Sequence, residues 1–118
     1  MKFLCLAYGA EEDWNALTGE EQDALLAQDE RLRRRGALMA AVEPRVTTVR
    51  AWDGTPSATD GAFGRMEAPL AGFSVIEADS IEEAVRLVAD TPCARARGAI
   101  EIRPILMIND AEWRGAAV

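Results

Sequence analysis

With 118 residues, 49% of them hydrophobic and 28% charged, the chain has the length and balance of one globular domain, which excludes collagen, wholesale disorder and a disulfide scaffold. The 13 Lys and Arg stand against 20 Asp and Glu, a formal charge of −7, and such a surface is poorly suited to neutralising the phosphates of a nucleic acid. Histidine is absent, and with it go the Ser/His/Asp triad, the Cys/His dyad and the commonest metal ligand.

The first predicted strand begins almost at Met1, with no charged and apolar leader ahead of it, and the wholly apolar runs, 105–108 among them, are far too short to span a bilayer. A cytoplasmic location is expected, with no membrane partner. Cys5 and Cys93 are then expected to stay reduced. Without His or a CxxC spacing, no zinc site and no cofactor are expected. Glycine-rich phosphate loops are absent too.

In chain order, residues 2–8 (KFLCLAY) read as a strand apolar on both faces, hence a central one. Gly9 and the acidic residues Glu11, Glu12 and Asp13 close it. Thr18 and Glu21 form a capping-box pattern that opens a helix reaching Arg35, with Leu25 and Leu32, flanked by Ala24 and Gln28, on its inner stripe. The basic cluster 31–35 falls where cations complement the negative end of the helix dipole, and Gly36 is the natural stop. Residues 38–42 read as a second strand, broken at Glu43 and Pro44. Residues 46–52 and 57–59 read as a hairpin turning tightly at Asp53-Gly54. Residues 72–78 form the next strand. Ser80 and Glu83 repeat the capping-box pattern before a helix with Ile81, Ala84, Val85 and Val88 on one face, ended by Asp90, Thr91 and Pro92. The last strand, 99–103, puts Ile100 and Ile102 on one face and Glu101 and Arg103 on the other.

Setting the 46–59 hairpin aside as an insertion, the order is βαββαβ, the split pattern of an α+β ferredoxin-like domain spanning 1–118 with a tail from 105. Two helices cover only one sheet face. The other would expose the apolar side chains of the first strand, and a homodimer packed sheet on sheet is the simplest cover.

Five segments in order carry a family resemblance: Lys2-Phe3-Leu4-Cys5-Leu6-Ala7-Tyr8-Gly9, Trp14 before the capped helix, Thr59-Asp60-Gly61-Ala62-Phe63, Leu70-Ala71-Gly72-Phe73, and Ile100-Glu101-Ile102-Arg103-Pro104. Together they resemble the YCII-related family with the DGPF motif. The resemblance implies a dimeric α+β barrel and a pocket between the sheet and the motif segment. It further implies kinship with proteins mostly without assigned activity, a few of which look like small lyases or dehydrochlorinases. Related muconolactone-isomerase-like barrels act on small ring compounds. The chain departs from the pattern at Ala62, where the motif has Pro, and at Gly64-Arg65-Met66-Glu67-Ala68, where an A-E-T-K-E-like stretch is usual. A His–Asp pair found in another branch is impossible here.

Asp60 is the candidate general base, its alternative role being to cap its own turn before Gly61. Phe63 would anchor the segment. Arg65 with Glu67, and Glu101 with Arg103, are each two residues apart and so share a face of an extended segment, where they could bind a small ligand or stand as solvated pairs. Tyr8 could offer its hydroxyl to a pocket or pack on a backbone carbonyl.

Two functions stay open: a cofactor-free lyase or isomerase acting on a small cyclic compound, and a non-catalytic ligand-binding or regulatory module, which the altered motif favours. Under either, elemental analysis after purification without a metal-affinity step is expected to find no stoichiometric zinc, copper or iron. One metal per chain would reveal a carboxylate site that the missing histidines hide.

Overall fold

The computed structural model describes residues 1–109, so the end of the expected tail lies outside the described residues. Its strands are β1 (Lys2–Tyr8), β2 (Leu38–Ala41), β3 (Thr47–Arg50), β4 (Ser57–Asp60), β5 (Leu70–Glu77) and β6 (Ala99–Pro104). Its helices are α1 (Glu11–Asn15), α2 (Gly19–Arg34), α3 (Ile81–Val88) and α4 (Pro92–Arg95). The four principal strands form an antiparallel sheet in the order β2-β5-β1-β6, with β3 and β4 paired in a separate ribbon. This is the ferredoxin-like α+β arrangement expected, with the inserted ribbon in place.

β1 is central, pairing with β5 from Lys2↔Glu77 to Tyr8↔Leu70 and with β6 from Phe3↔Pro104 to Tyr8↔Ala99. Alternation along it sends Phe3 and Cys5 into the core with Ile76, Ala78, Ala84 and Val88, and Ile100 and Ile102 pack against the same cluster. Leu4, Leu6 and Tyr8 therefore project from the opposite face, beside Phe73, Val75, Glu101 and Arg103 by register. No described helix packs on that face.

Local chemistry explains the helix starts. At α2, Thr18 Oγ1 accepts from the Glu21 amide at 3.1 Å while Glu21 Oε1 accepts from the Thr18 amide at 2.8 Å, the full capping box. At α3 only half of it forms: Ser80 Oγ accepts from the Glu83 amide, but Glu83 Oε1 reaches one residue further, to the Asp79 amide. Leu32 is the buried anchor of α2, and Gln28 Nε2 donates to the Leu87 carbonyl at 2.8 Å, tying the two long helices together.

Four sequence expectations need correcting. The inner face of α3 is Ala84, Leu87 and Val88, not the stripe through Ile81 and Val85, which are 42% and 50% exposed, because the helix is rolled toward its 84–88 edge. The acidic residues after Gly9 do not merely close β1; they form α1, whose first turn favours negative side chains. Pro92 starts α4 as well as ending the preceding segment, since its missing N–H costs nothing in a first helical turn. The hairpin connection is not a two-residue turn. It runs over 51–56, with Gly54 at φ 87° donating to the Ala51 carbonyl and Asp53 Oδ1 accepting from the Thr55 amide.

Gly98 is the tightest point. A Cβ there would lie 2.0 Å from the Tyr8 carbonyl oxygen and 2.8 Å from that of Cys93, so only glycine lets β6 approach β1 beside α4. Gly98→Ala is expected to cost about 3 kcal/mol or more, at or beyond the upper end for overpacking. Gly19→Ala, with nothing within 4 Å of the new Cβ, is expected to be neutral or to add up to about 1 kcal/mol. Urea melts of both variants check the pair.

Candidate functional site

Tyr8 closes β1 just past a register shift between Ala7 and Tyr8, which brings it opposite Leu70 rather than Ala71. Its hydroxyl donates to Glu101 Oε1 at 3.2 Å, and Arg103 Nη2 donates to the same oxygen at 3.4 Å. Glu101 and Arg103 can share this face because they are two residues apart on a strand whose intervening Ile102 packs into the core. Phenol, carboxylate and guanidinium thus form a row on the helix-free face.

Partial burial pushes the Tyr8 phenol above its ordinary range, the Glu101 charge and the hydrogen bond to it push further, and Arg103 opposes them. The hydroxyl therefore keeps its proton at neutral pH and serves as a donor.

Beside Tyr8 a cleft of about 740 Å³ opens between the sheet end and the 61–68 segment. Tyr8 and Leu70 line it from the sheet, Met66 and Glu67 from the segment, and Pro44 and Arg45 from the connection after β2. The segment is held at both ends. Gly61, at φ 112°, donates to the Val46 carbonyl at 2.9 Å, and its own carbonyl accepts from Thr48 Oγ1 at 2.6 Å. At the other end the Gly9 amide donates to the Pro69 carbonyl at 2.9 Å.

The structure thus gathers Tyr8, Glu101 and Arg103 and puts Glu67 on the wall of the same cleft as Tyr8. It does not bring the other candidates there. Asp60 ends β4 opposite Thr47, exposed, and among the described residues its carboxylate accepts no hydrogen bond, so the turn at Gly61 is held by Thr48 and backbone instead. The Phe63 ring lies 5.1 Å from the Arg50 guanidinium, and Arg65 is exposed beyond the cleft lining. Sequence reasoning missed Arg45, which pairs with Glu43 at 3.4 Å across Pro44. The Glu-Pro-Arg triplet marks a break in the strand, and nothing local says that the break faces a cleft.

A second space of about 260 Å³ lies between α2 and the sheet, with Asp29 and both cysteines on its walls. Burial raises the Asp29 carboxyl against the pull of Arg33, and burial followed by the Asp29 charge raises the Cys93 thiol. Burial also raises the Cys5 thiol, with a Ser74 hydrogen bond opposing. Neither thiol is poised as a nucleophile. A third, apolar groove of about 370 Å³ runs past Trp14, Pro69 and Ala96. Among the described residues no three His, Cys, Asp or Glu side chains are grouped to hold a metal ion, and no helix is long and apolar enough to cross a membrane.

Compared with known proteins, the chain matches the model of the YCII-related domain over residues 1–113. One similar solved structure is 5-chloro-2-hydroxyhydroquinone dehydrochlorinase (TftG) from Burkholderia phenoliruptrix AC1100, in complex with 2,5-dihydroxybenzoquinone. It is 18% identical, with 93% of this chain and 98% of that chain covered and a TM-score of 0.49, a likeness too distant to carry a functional argument. No curated protein matches the chain significantly.

Tyr8 is the only tyrosine in the sequence, so its titration can be read directly by ultraviolet absorbance. The midpoint is expected above the ordinary value of about 10, and Glu101→Gln should lower it by removing the adjacent negative charge. Because the folded phenol holds its proton more tightly than the unfolded one, this contribution to stability is complete below about pH 10 and is lost as pH rises through the folded value. A wild-type midpoint at or below 10 would contradict the Tyr8–Glu101 hydrogen bond.

Proposed function

The chain belongs to the YCII-related domain family, and on that premise we propose that it works as a homodimeric barrel protein that binds a small molecule in the cleft beside Tyr8. The reaction the site supports best is a cofactor-free elimination or isomerisation on a small cyclic compound. The observation that carries this reading is the row Tyr8–Glu101–Arg103 bordering a cleft whose other wall holds Glu67.

Such a reaction needs a base to take a proton from carbon and a donor to stabilise the oxygen on which charge develops. Tyr8 is the donor: its phenol stays protonated, and its single O–H turns from Glu101 to the ligand oxygen as the ligand enters, while Arg103 keeps the released Glu101 carboxylate paired. Glu67 is the base, acting across the cleft, and Arg45 holds a carboxylate or phenolate of the ligand. Leu70, Met66 and Pro44 supply the apolar walls that a ring compound packs against. Asp60, next to Gly61 of the cleft wall, serves at the rim.

A second reading, a non-catalytic ligand-binding or regulatory module, draws on one observation. No hydrogen bond among the described residues orients the Glu67 carboxylate, whereas catalytic bases are commonly held in place. Under both readings the partners are a second copy and a small molecule, with neither nucleic acid nor membrane. The two free thiols, Cys5 and Cys93, suit the reducing cytoplasm.

Light scattering at micromolar concentration is expected to give about twice 12.8 kDa. A thermal-shift panel of small aromatic acids, phenols and lactones is expected to yield ligands that raise the melting temperature, since a ligand of the folded state stabilises it. Tyr8→Phe should abolish most of that shift. With a substrate in hand, Glu67→Gln is expected to lower turnover by about 10²–10⁴-fold and Asp60→Asn by far less. Binding retained with turnover unchanged in Glu67→Gln would favour the module.

A further inference from the structure

Among the described residues, the β3–β4 ribbon and its flanks form one of the barest apolar stretches, alongside Leu106 and Met107. Val49, Trp52 and Phe63 are 65%, 85% and 74% exposed. Between the two rings lies Arg50, its guanidinium carbon 5.2 Å from the Trp52 centroid and 5.1 Å from that of Phe63. This stack orders two aromatic side chains in the open, where the apolar gain of burying them is still to be had. Arg50 forms no ion pair with a described residue. A lone two-stranded ribbon is marginal in water, so an extended one with bare aromatics calls for a cover.

A second, partly bare surface lies on the same chain: the helix-free face of the sheet, where Val75 is buried, Leu4, Leu6 and Phe73 are half-buried and Leu38 at the edge is 43% exposed.

We propose that the ribbon clasps a second copy of this chain, laying its Arg50, Trp52 and Phe63 stack over the partner's helix-free face at the Tyr8–Glu101–Arg103 row, so that each site is finished by two chains. A two-fold contact covers both bare surfaces of both copies at once, whereas an unrelated partner on either surface would leave the other open. The ribbon is placed for it. It leaves the sheet after β2 and returns at Leu70, the residue paired with Tyr8, whose side chain points out of the helix-free face. The charges fit as well, since Arg50, which pairs with no carboxylate among the described residues, would approach Glu101 of the partner subunit. A flat cationic stack over the row excludes water and favours planar, electron-rich ligands.

The proposal rests on the dimer proposed above, and one experiment separates the two. The difference in emission between the unsubstituted chain and its Trp52→Phe variant isolates Trp52 from Trp14 and Trp113. At concentrations where light scattering gives a dimer, Trp52 is expected to emit to the blue and to be several-fold less quenched by acrylamide than after dilution to monomer. Arg50→Glu should weaken dimerisation by roughly 10-fold or more, as for a central interface residue, with the circular dichroism spectrum unchanged. A dimer in which Trp52 is quenched as freely as in the monomer overturns the clasp and leaves the dimer standing. A chain that is monomeric at every concentration overturns both.

Discussion

β1 lies between β5 and β6, so the alternation of its seven residues decides what every neighbouring strand presents to each side. Phe3 and Cys5 face the helices; Leu4, Leu6 and Tyr8 face away. Pairing then carries the choice outward, bringing Leu6 opposite both Phe73 and Glu101, and Leu4 opposite both Val75 and Arg103. A slip of one residue in the β1–β6 ladder would bury Glu101 under α3 and turn Ile102 to the open face, and a slip in the β1–β5 ladder would do the same to Phe73 and Ile76. The burial of Phe3 and Ile76 and the close approach at Gly98 forbid both slips. The site is therefore a by-product of core packing: a polar row appears on one face because an apolar one is locked on the other.

Stability and reactivity are in tension along that row. Tyr8 and Arg103 share one oxygen of Glu101, which leaves its second oxygen without a described partner. Exposed ion pairs such as Glu101–Arg103 contribute little to folding. What the arrangement does is orient: it holds a phenol at the rim of a cleft with its proton retained. The buried Cys5 thiol and the half-buried Cys93 and Asp29 on the far side of the sheet show the opposite case, groups whose burial disfavours ionisation and keeps them chemically quiet.

Features within one turn of the chain were legible where they depend on near neighbours. Thr18 and Glu21 sit three apart and cap α2 as such a pair must, and Gly36, at φ 96°, stops it. The alternation of 99–103 correctly separated Ile100 and Ile102 from Glu101 and Arg103. The same local rules failed where two outcomes lie close in energy. Glu83 had the amides of Asp79 and Ser80 within reach and took Asp79. The apolar residues of α3 allow two adjacent faces, and the choice of Ala84, Leu87 and Val88 was made by the strands beneath. Pro92 can end a helix or begin one, and only the path of the chain into β6 selects the second.

The sequence by itself determined the order of strands and helices, the central place of β1, the ribbon insertion and the residue types open to chemistry, because periodicity, caps and the absence of histidine are written in neighbouring residues. Tertiary structure alone decided which candidates meet. Tyr8 reaches Glu101 across 93 positions, Arg45 and Glu67 come to one cleft from two ends of the insertion, and Asp60 and Phe63 are carried out along the ribbon. Such meetings depend on register and on where a connection crosses the sheet end. Both are set by summed packing over the whole core, a quantity that no short stretch of sequence contains.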